Sequence, residues 1–169
     1  MPAGGQKSMA FLLLAINLAM YFIVTVIAGW AINHSIESMP QTAASLEIPV
    51  RLFPIYFPMG NMATGFFVVF SLIAGLVGIA SSITGLNNIV QWNVANLMSA
   101  ATFSIIAWGL TVLAMGLACK EINIGGRDGA LRTLEALTVI LSGTQLLCVG
   151  AIHAGIPAVS RSHPWGGAI

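Results

Sequence analysis

The residues best suited to chemistry lie on one line in the C-terminal quarter of the chain. Glu135, Thr138, Ser142, Gln145 and His153 recur at spacings that share one side of a helix. With Glu135 at zero, the others fall at about 300°, 340°, 280° and 0°, and Thr144 lies off the arc. The line is about 27 Å long, and Arg132 stands one turn ahead of it. A carboxylate, an imidazole that titrates near neutral pH, an amide and two hydroxyls can hold a polar ligand or handle a proton. Arg132, with Lys120 and Arg127 nearby, can attract a carboxylate at the mouth. A structural reading stands beside this one. Arg132 and Glu135 are placed for an i,i+3 ion pair at the helix start, His153 for wetting at the other end. Ser, Thr and Gln side chains also bond neighbouring helices. Polar pocket or packing glue both remain open from the residues alone.

Other chemistry is not encoded. The two cysteines, Cys119 and Cys148, fall at different depths of an antiparallel hairpin, so their Cα atoms exceed the roughly 7 Å limit for a disulfide. No Cys-x-x-Cys occurs, and His34, His153 and His163 lack metal-ligand spacing. There is no Gly-x-Ser-x-Gly, no Walker sequence and no pair of carboxylates at one depth. Gly125-Gly126 is followed by no Lys-Ser/Thr, so it reads as a turn. The expectation is a non-enzyme with no metal and no cofactor. A net charge of +1 without a basic patch excludes nucleic acid as a partner.

The elements that carry the line follow from composition. Of 169 residues, 57% are hydrophobic and 7% charged, with mean hydropathy +0.93. A soluble domain needs about 25% charged residues to wet its surface, and disorder needs low hydrophobicity. The chain therefore reads as an integral membrane protein whose first partner is the lipid bilayer. Residues 8–36, 52–119 and 136–160 carry no formal charge. The middle run is long enough for two spans of about 20 residues each, and the others for one apiece. This predicts four transmembrane helices over about 9–31, 61–84, 94–119 and 131–155, as one all-α antiparallel bundle.

The first run is too long for a signal-peptide core and reads as a retained span closed by Trp30. Residues 33–60 are expected to be a loop. Its second half, with Pro54, Pro58, Phe53, Tyr56 and Phe57, suits the headgroup layer or a lid on the bundle end. Gly85-Leu-Asn87-Asn88 is expected to turn, and Gly155 with Pro157 to close the last helix. The sequon Asn33-His-Ser35 lies too near the membrane for glycosylation to be expected.

Helices in lipid associate through small and polar residues. One stripe of them is expected on each helix: Asn17, Tyr21, Thr25 and Ala28; Thr64, Ser71, Gly75, Gly78, Ser82 and Gly85; Ala100, Ser104, Ala107, Thr111, Ala114 and Ala118. The candidate pathway residues are thus Asn17, Arg132, Glu135, Ser142, Gln145 and His153. A long first loop and a short second one place the termini in the cytoplasm, against the raw count of loop cations.

The stretches Phe53–Gly65, Ala114–Gly126, Leu131-Arg-Thr-Leu-Glu-Ala136, Thr144-Gln-Leu146 and Ile152-His-Ala-Gly155 resemble the AWPM-like family of plant plasma-membrane proteins, in order and along nearly the whole chain. The resemblance implies a multi-pass plasma-membrane protein of abscisic acid response, seed maturation, and cold or drought tolerance. It implies abscisic acid uptake as the activity and abscisic acid as the ligand. The alternative is a non-transporting, membrane-stabilising or accessory protein whose partner is another membrane protein or a second copy. The resemblance carries no settled binding residues. Some members have a longer tail and a more basic second loop, which this chain lacks.

Overall fold

The structure is a computed structural model that describes residues 3–45, 62–124 and 129–162. Within these, every residue except Trp92 and Asn93 is helical. The helices are α1 (Ala3–Ser45), α2 (Met62–Gln91), α3 (Val94–Ile124) and α4 (Gly129–Ser162). All of them are long and apolar enough to cross a bilayer, which gives the expected all-α membrane architecture. α1 packs on α2 and α4, and α3 packs on the same two. The result is an up-down-up-down square with α1 and α3 across one diagonal.

The buried positions advance by alternate steps of four and three. α1 buries Ala10, Leu14, Asn17, Tyr21, Val24 and Ala28; α3 buries Leu97, Ala100, Ser104, Ala107, Thr111, Ala114, Ala118 and Glu121. α4 buries Leu134, Thr138, Leu141, Gln145, Cys148, Ile152 and Val159 in the same rhythm. This is the seven-residue repeat of a left-handed supercoil, in which each helix keeps one seam towards its neighbours. The small-residue stripes expected on α1, α2 and α3 form those seams; Thr25 alone is only partly buried. Leu12, Phe22, Leu76, Ile83, Met98 and Leu147 point outward to lipid. An open apolar groove of about 530 Å³ between α1 and α2, lined by Leu18, Phe22, Ile79 and Ile83 among others, lies on the same outer side.

The helices run past their expected ends, for local reasons. Ser35 Oγ donates to the Ala31 carbonyl at 2.8 Å and Asn33 Nδ2 to Glu37 Oε1 at 3.0 Å, one turn apart on α1. Polar residues read as loop thus continue the helix past these bonds, and it ends at Ser45. Residues 46–60, including the aromatic proline segment, and the turn at 125–128 lie outside the described residues. No turn forms at Gly85–Asn88. Gly85 is buried because the Leu14 methyl groups stand 3.1 Å from where its Cβ would be. Its missing side chain serves close packing and not a reversal. The chain reverses instead at Trp92, whose φ of 42° is left-handed. Asn93 then caps α3, its Oδ1 accepting the Asn96 N–H at 2.9 Å. Lys7 Nζ donates to the Val90 carbonyl at 2.9 Å at this end of α2 and stands 5.9 Å from the centre of the Trp92 ring. At its far end α4 passes through Gly155 and Pro157 and reaches Ser162. Pro157 forgoes the backbone bond to His153, and the flanking turns hold the helix. Cys119 is exposed and Cys148 buried, and both are free thiols.

Candidate functional site

The seams meet at a layer near mid-length of the spanning helices, to which α1, α3 and α4 each send one polar side chain and α2 sends two. Asn17 of α1 and Gln145 of α4 are fully buried, and Asn17 Nδ2 donates to Gln145 Oε1 at 2.7 Å. Gln145 Nε2 donates onward to the Ser104 carbonyl of α3 at 3.3 Å. α2 enters through register. Gly85 faces Leu14 and Gly78 faces Tyr21, so the buried Ser81 and Ser82, between the two glycines, stand at the level of Asn17. Ser82 and Ser104 are also fully buried. Asn17 Oδ1, Ser81 Oγ, Ser82 Oγ and Ser104 Oγ have no hydrogen-bond partner. Leaving such a group dry costs about 1–3 kcal/mol, so the layer holds more polarity than its own bonds consume.

Above it, towards the α3–α4 connection, polar groups recur in the interior. Tyr21 Oη donates to Thr111 Oγ1 at 2.8 Å, because the Thr111 hydroxyl proton is directed to the Ala107 carbonyl at 2.7 Å. Thr138 is buried and bonds the Leu134 carbonyl at 2.6 Å. Ser71 of α2 is fully buried with a free Oγ. Glu135 is 3% exposed, and near the end of α3 so is Glu121, whose Oε1 accepts from Thr64 Oγ1 at 2.6 Å. Two bonds from α3, Trp108 Nε1 and the Ser104 carbonyl, fix its register on α4. Glu135 thereby lies about 10 Å deeper than Glu121. Below the layer the interior turns apolar, with Leu14, Ile89, Leu97, Ala100, Cys148 and Ile152 in one cluster.

Of the six residues expected to line a pathway, the interior receives Asn17, Glu135 and Gln145. Ser142 is half-buried, its hydroxyl within reach of Met115 Sδ at 2.9 Å and the Val139 carbonyl at 2.7 Å. Arg132 is exposed while Glu135 is buried, so the pair does not share one environment. His153 departs from expectation: it is exposed, with Nδ1 2.9 Å from the Val149 carbonyl of its own helix. The cause is the repeat. A straight 100° wheel puts His153 over Glu135, but a seam of period 3.5 drifts from it by about 20° per heptad, hence about 50° between the two residues. Ile152 takes the interior place. Glu121, Thr64, Tyr21, Ser82 and Ser104 join the polar interior without having been singled out as pathway residues. For all but Glu121, membership of the small-residue stripes was the signal.

The sequence profile of the AWPM-19-like family matches residues 15–155, which take in all of α2 and α3 and most of α1 and α4. The chain belongs to the AWPM-19-like family. It is similar to membrane protein PM19L of Oryza sativa subsp. japonica, 41% identical over 155 residues, covering 91% of this chain and 82% of that protein. No solved structure matches it. The matched span contains the whole polar layer, from Asn17 to Gln145, so this AWPM-19-like protein carries its candidate site inside the family's common region.

Proposed function

We propose that this membrane protein facilitates uptake of abscisic acid, a small apolar carboxylic acid, across the plant plasma membrane, in the setting of seed maturation and of cold or drought response. The family resemblance supplies the ligand. The observation that carries the reading is the surplus of buried polarity: Asn17 Oδ1, Ser71 Oγ, Ser82 Oγ and Ser104 Oγ lie inside the bundle without partners. Glue between helices consumes its hydrogen bonds, whereas these groups are left over for something that passes. They occupy the Asn17–Gln145 layer and, at Ser71, the half of the interior between it and the Glu121 end, and the apolar cluster below the layer serves as the barrier. The termini are assigned to the cytoplasm, and the α3–α4 connection to the outside.

Uptake of labelled abscisic acid into proteoliposomes holding only this protein tests the reading. Accumulation above empty vesicles is expected, reduced by Gln145→Ala and by Arg132→Ala. No uptake above empty vesicles overturns it, and unchanged uptake in both variants overturns the site assignment. The second reading, a non-transporting stabiliser or accessory subunit, is favoured by the close α1–α2 seam, where Gly75 and Gly78 leave no room for a Cβ. Inert proteoliposomes together with a stoichiometric co-purifying membrane protein would establish it.

A further inference from the structure

The layer of Asn17, Ser82, Ser104 and Gln145 differs from an anion site in one respect: it contains no positive charge and none lies near its depth. Residues 8–36, 52–119 and 136–160 carry no Lys or Arg. The described cations, Lys7, Lys120, Arg132 and Arg161, sit towards helix ends. The ionisable groups that α1, α3 and α4 turn inward are Tyr21, Cys148, Glu121 and Glu135, none of them a cation at neutral pH. α2 contributes Thr64, Ser71, Ser81 and Ser82, with no ionisable side chain. A carboxylate drawn into this interior would lose its hydration without gaining a counter-charge, which is prohibitive in a low-dielectric medium. Ionised Glu121 and Glu135 would add repulsion. The neutral acid fits what is present. Its O–H can donate to an amide oxygen such as Asn17 Oδ1, and its carbonyl can accept from the Ser82 or Ser104 hydroxyl.

Resting on the uptake reading, we infer that this layer is a binding site for the undissociated form of the carboxylic acid, and that transport through it is electrically neutral. The proton that the carboxylate takes up comes from the medium on one side and is released to the medium on the other. One proton and one carboxylate cross together, with no net charge moved.

Initial uptake of labelled abscisic acid into proteoliposomes, less that of empty vesicles, is measured at external pH 5.5 and 7.5, with and without an imposed potassium diffusion potential. The expected result is a protein-dependent rate about 100-fold lower at the higher pH, following the protonated fraction, and unchanged by the sign of the potential. The methyl ester of abscisic acid, which lacks the carboxyl O–H, separates the site from mere partitioning and from an effect of pH on the protein itself. It is expected to be carried at least tenfold more slowly than the acid at pH 5.5. Ser104→Ala and Ser82→Ala, which keep the helix packing, are expected to lower the rate several-fold with the same pH slope. A rate that follows the anion, or responds to the potential, overturns the inference and leaves the uptake reading standing. Equal carriage of ester and acid does the same. Absence of protein-dependent uptake at either pH overturns both.

Discussion

The two halves of this bundle are built on one repeat and filled differently. Between the α2–α3 turn and the Asn17–Gln145 layer, the seam positions hold Leu14, Ile89, Leu97, Ala100, Cys148 and Ile152. Between that layer and the Glu121 end, apolar residues such as Phe67, Val68, Leu134 and Leu141 alternate with Tyr21, Thr111, Thr138, Ser71, Glu135 and Glu121. Lipid provides no hydrophobic force between helices, so both halves depend on close fit and on interhelical hydrogen bonds. The apolar half can adjust by rotating methyl groups. The polar half is held in directed bonds, and its fit cannot slide. The contrast predicts that equal insults will cost more above the layer than below it.

Glycine substitutions are the strongest test. A Cβ on Gly78 would overlap the Tyr21 ring, and that ring is tied across the bundle by the bond from its hydroxyl to Thr111 at 2.8 Å. Gly78→Ala is expected to destabilise the detergent-solubilised protein by about 1–3 kcal/mol. On Gly85 the same Cβ meets only Leu14 methyl groups, at 3.1 Å, which can turn aside, so Gly85→Ala is expected to cost under about 1 kcal/mol. Gly143 faces lipid with nothing within 4 Å, and Gly143→Ala serves as the neutral control. Reversible unfolding in mixed micelles ranks the three variants. Equal losses at Gly78 and Gly85 would remove the distinction between the halves.

Gln145→Leu comes next. It strips Asn17 Nδ2 of its acceptor and the Ser104 carbonyl of its donor, leaving buried groups dry at about 1–3 kcal/mol. Removing both partners at once relieves the stranded amide. A double-mutant cycle with Asn17→Leu is expected to return a coupling between about 0.6 kcal/mol, the average for such bonds inside membranes, and their maximum of about 1.7 kcal/mol. A coupling indistinguishable from zero would mean that the layer does not bind the helices to one another, and the difference between the halves would reduce to composition.

Much of this arrangement can be read before any coordinates. Absence of charge over residues 8–36, 52–119 and 136–160 marks the spans, because a charged residue at bilayer depth is costly. Small residues at helical spacing mark the seams, because only they let backbones approach in lipid. What escaped is of a different kind. Which residues share a level depends on register, and register depends on where the chain turns. Gly85-Leu-Asn-Asn reads as the turn, yet Gly85 is used for packing and Trp92 with its positive φ reverses the chain. That Ser82 stands level with Asn17 follows only once this is known. Glu121 stands beside Lys120 in what reads as a loop, and its partner Thr64 is 57 residues away. No local pattern announces the pair. The misplacement of His153 has another cause. A period of 3.6 serves for one or two turns and fails over the nine turns that α4 provides, where the supercoil sets 3.5.

Tyr21 belongs to both interactions that the comparison turns on, and it gives the finest test. Tyr21→Phe keeps the ring against Gly78 and removes only the hydroxyl. Thr111 Oγ1 then loses a donor but keeps its own bond to the Ala107 carbonyl at 2.7 Å, so no proton is stranded and the loss should be about 0.6 kcal/mol. The consequence lies in the pairing. If directed bonding is what stops the ring from making room, Gly78→Ala must cost less in the Tyr21→Phe background than alone, by about 0.5–1 kcal/mol, within the range for contacting residues. Strict additivity would mean that the ring is held by packing alone. The polar half would then be rigid for the same reason as the apolar one, and its surplus hydroxyls would have no bearing on how firmly the helices are held.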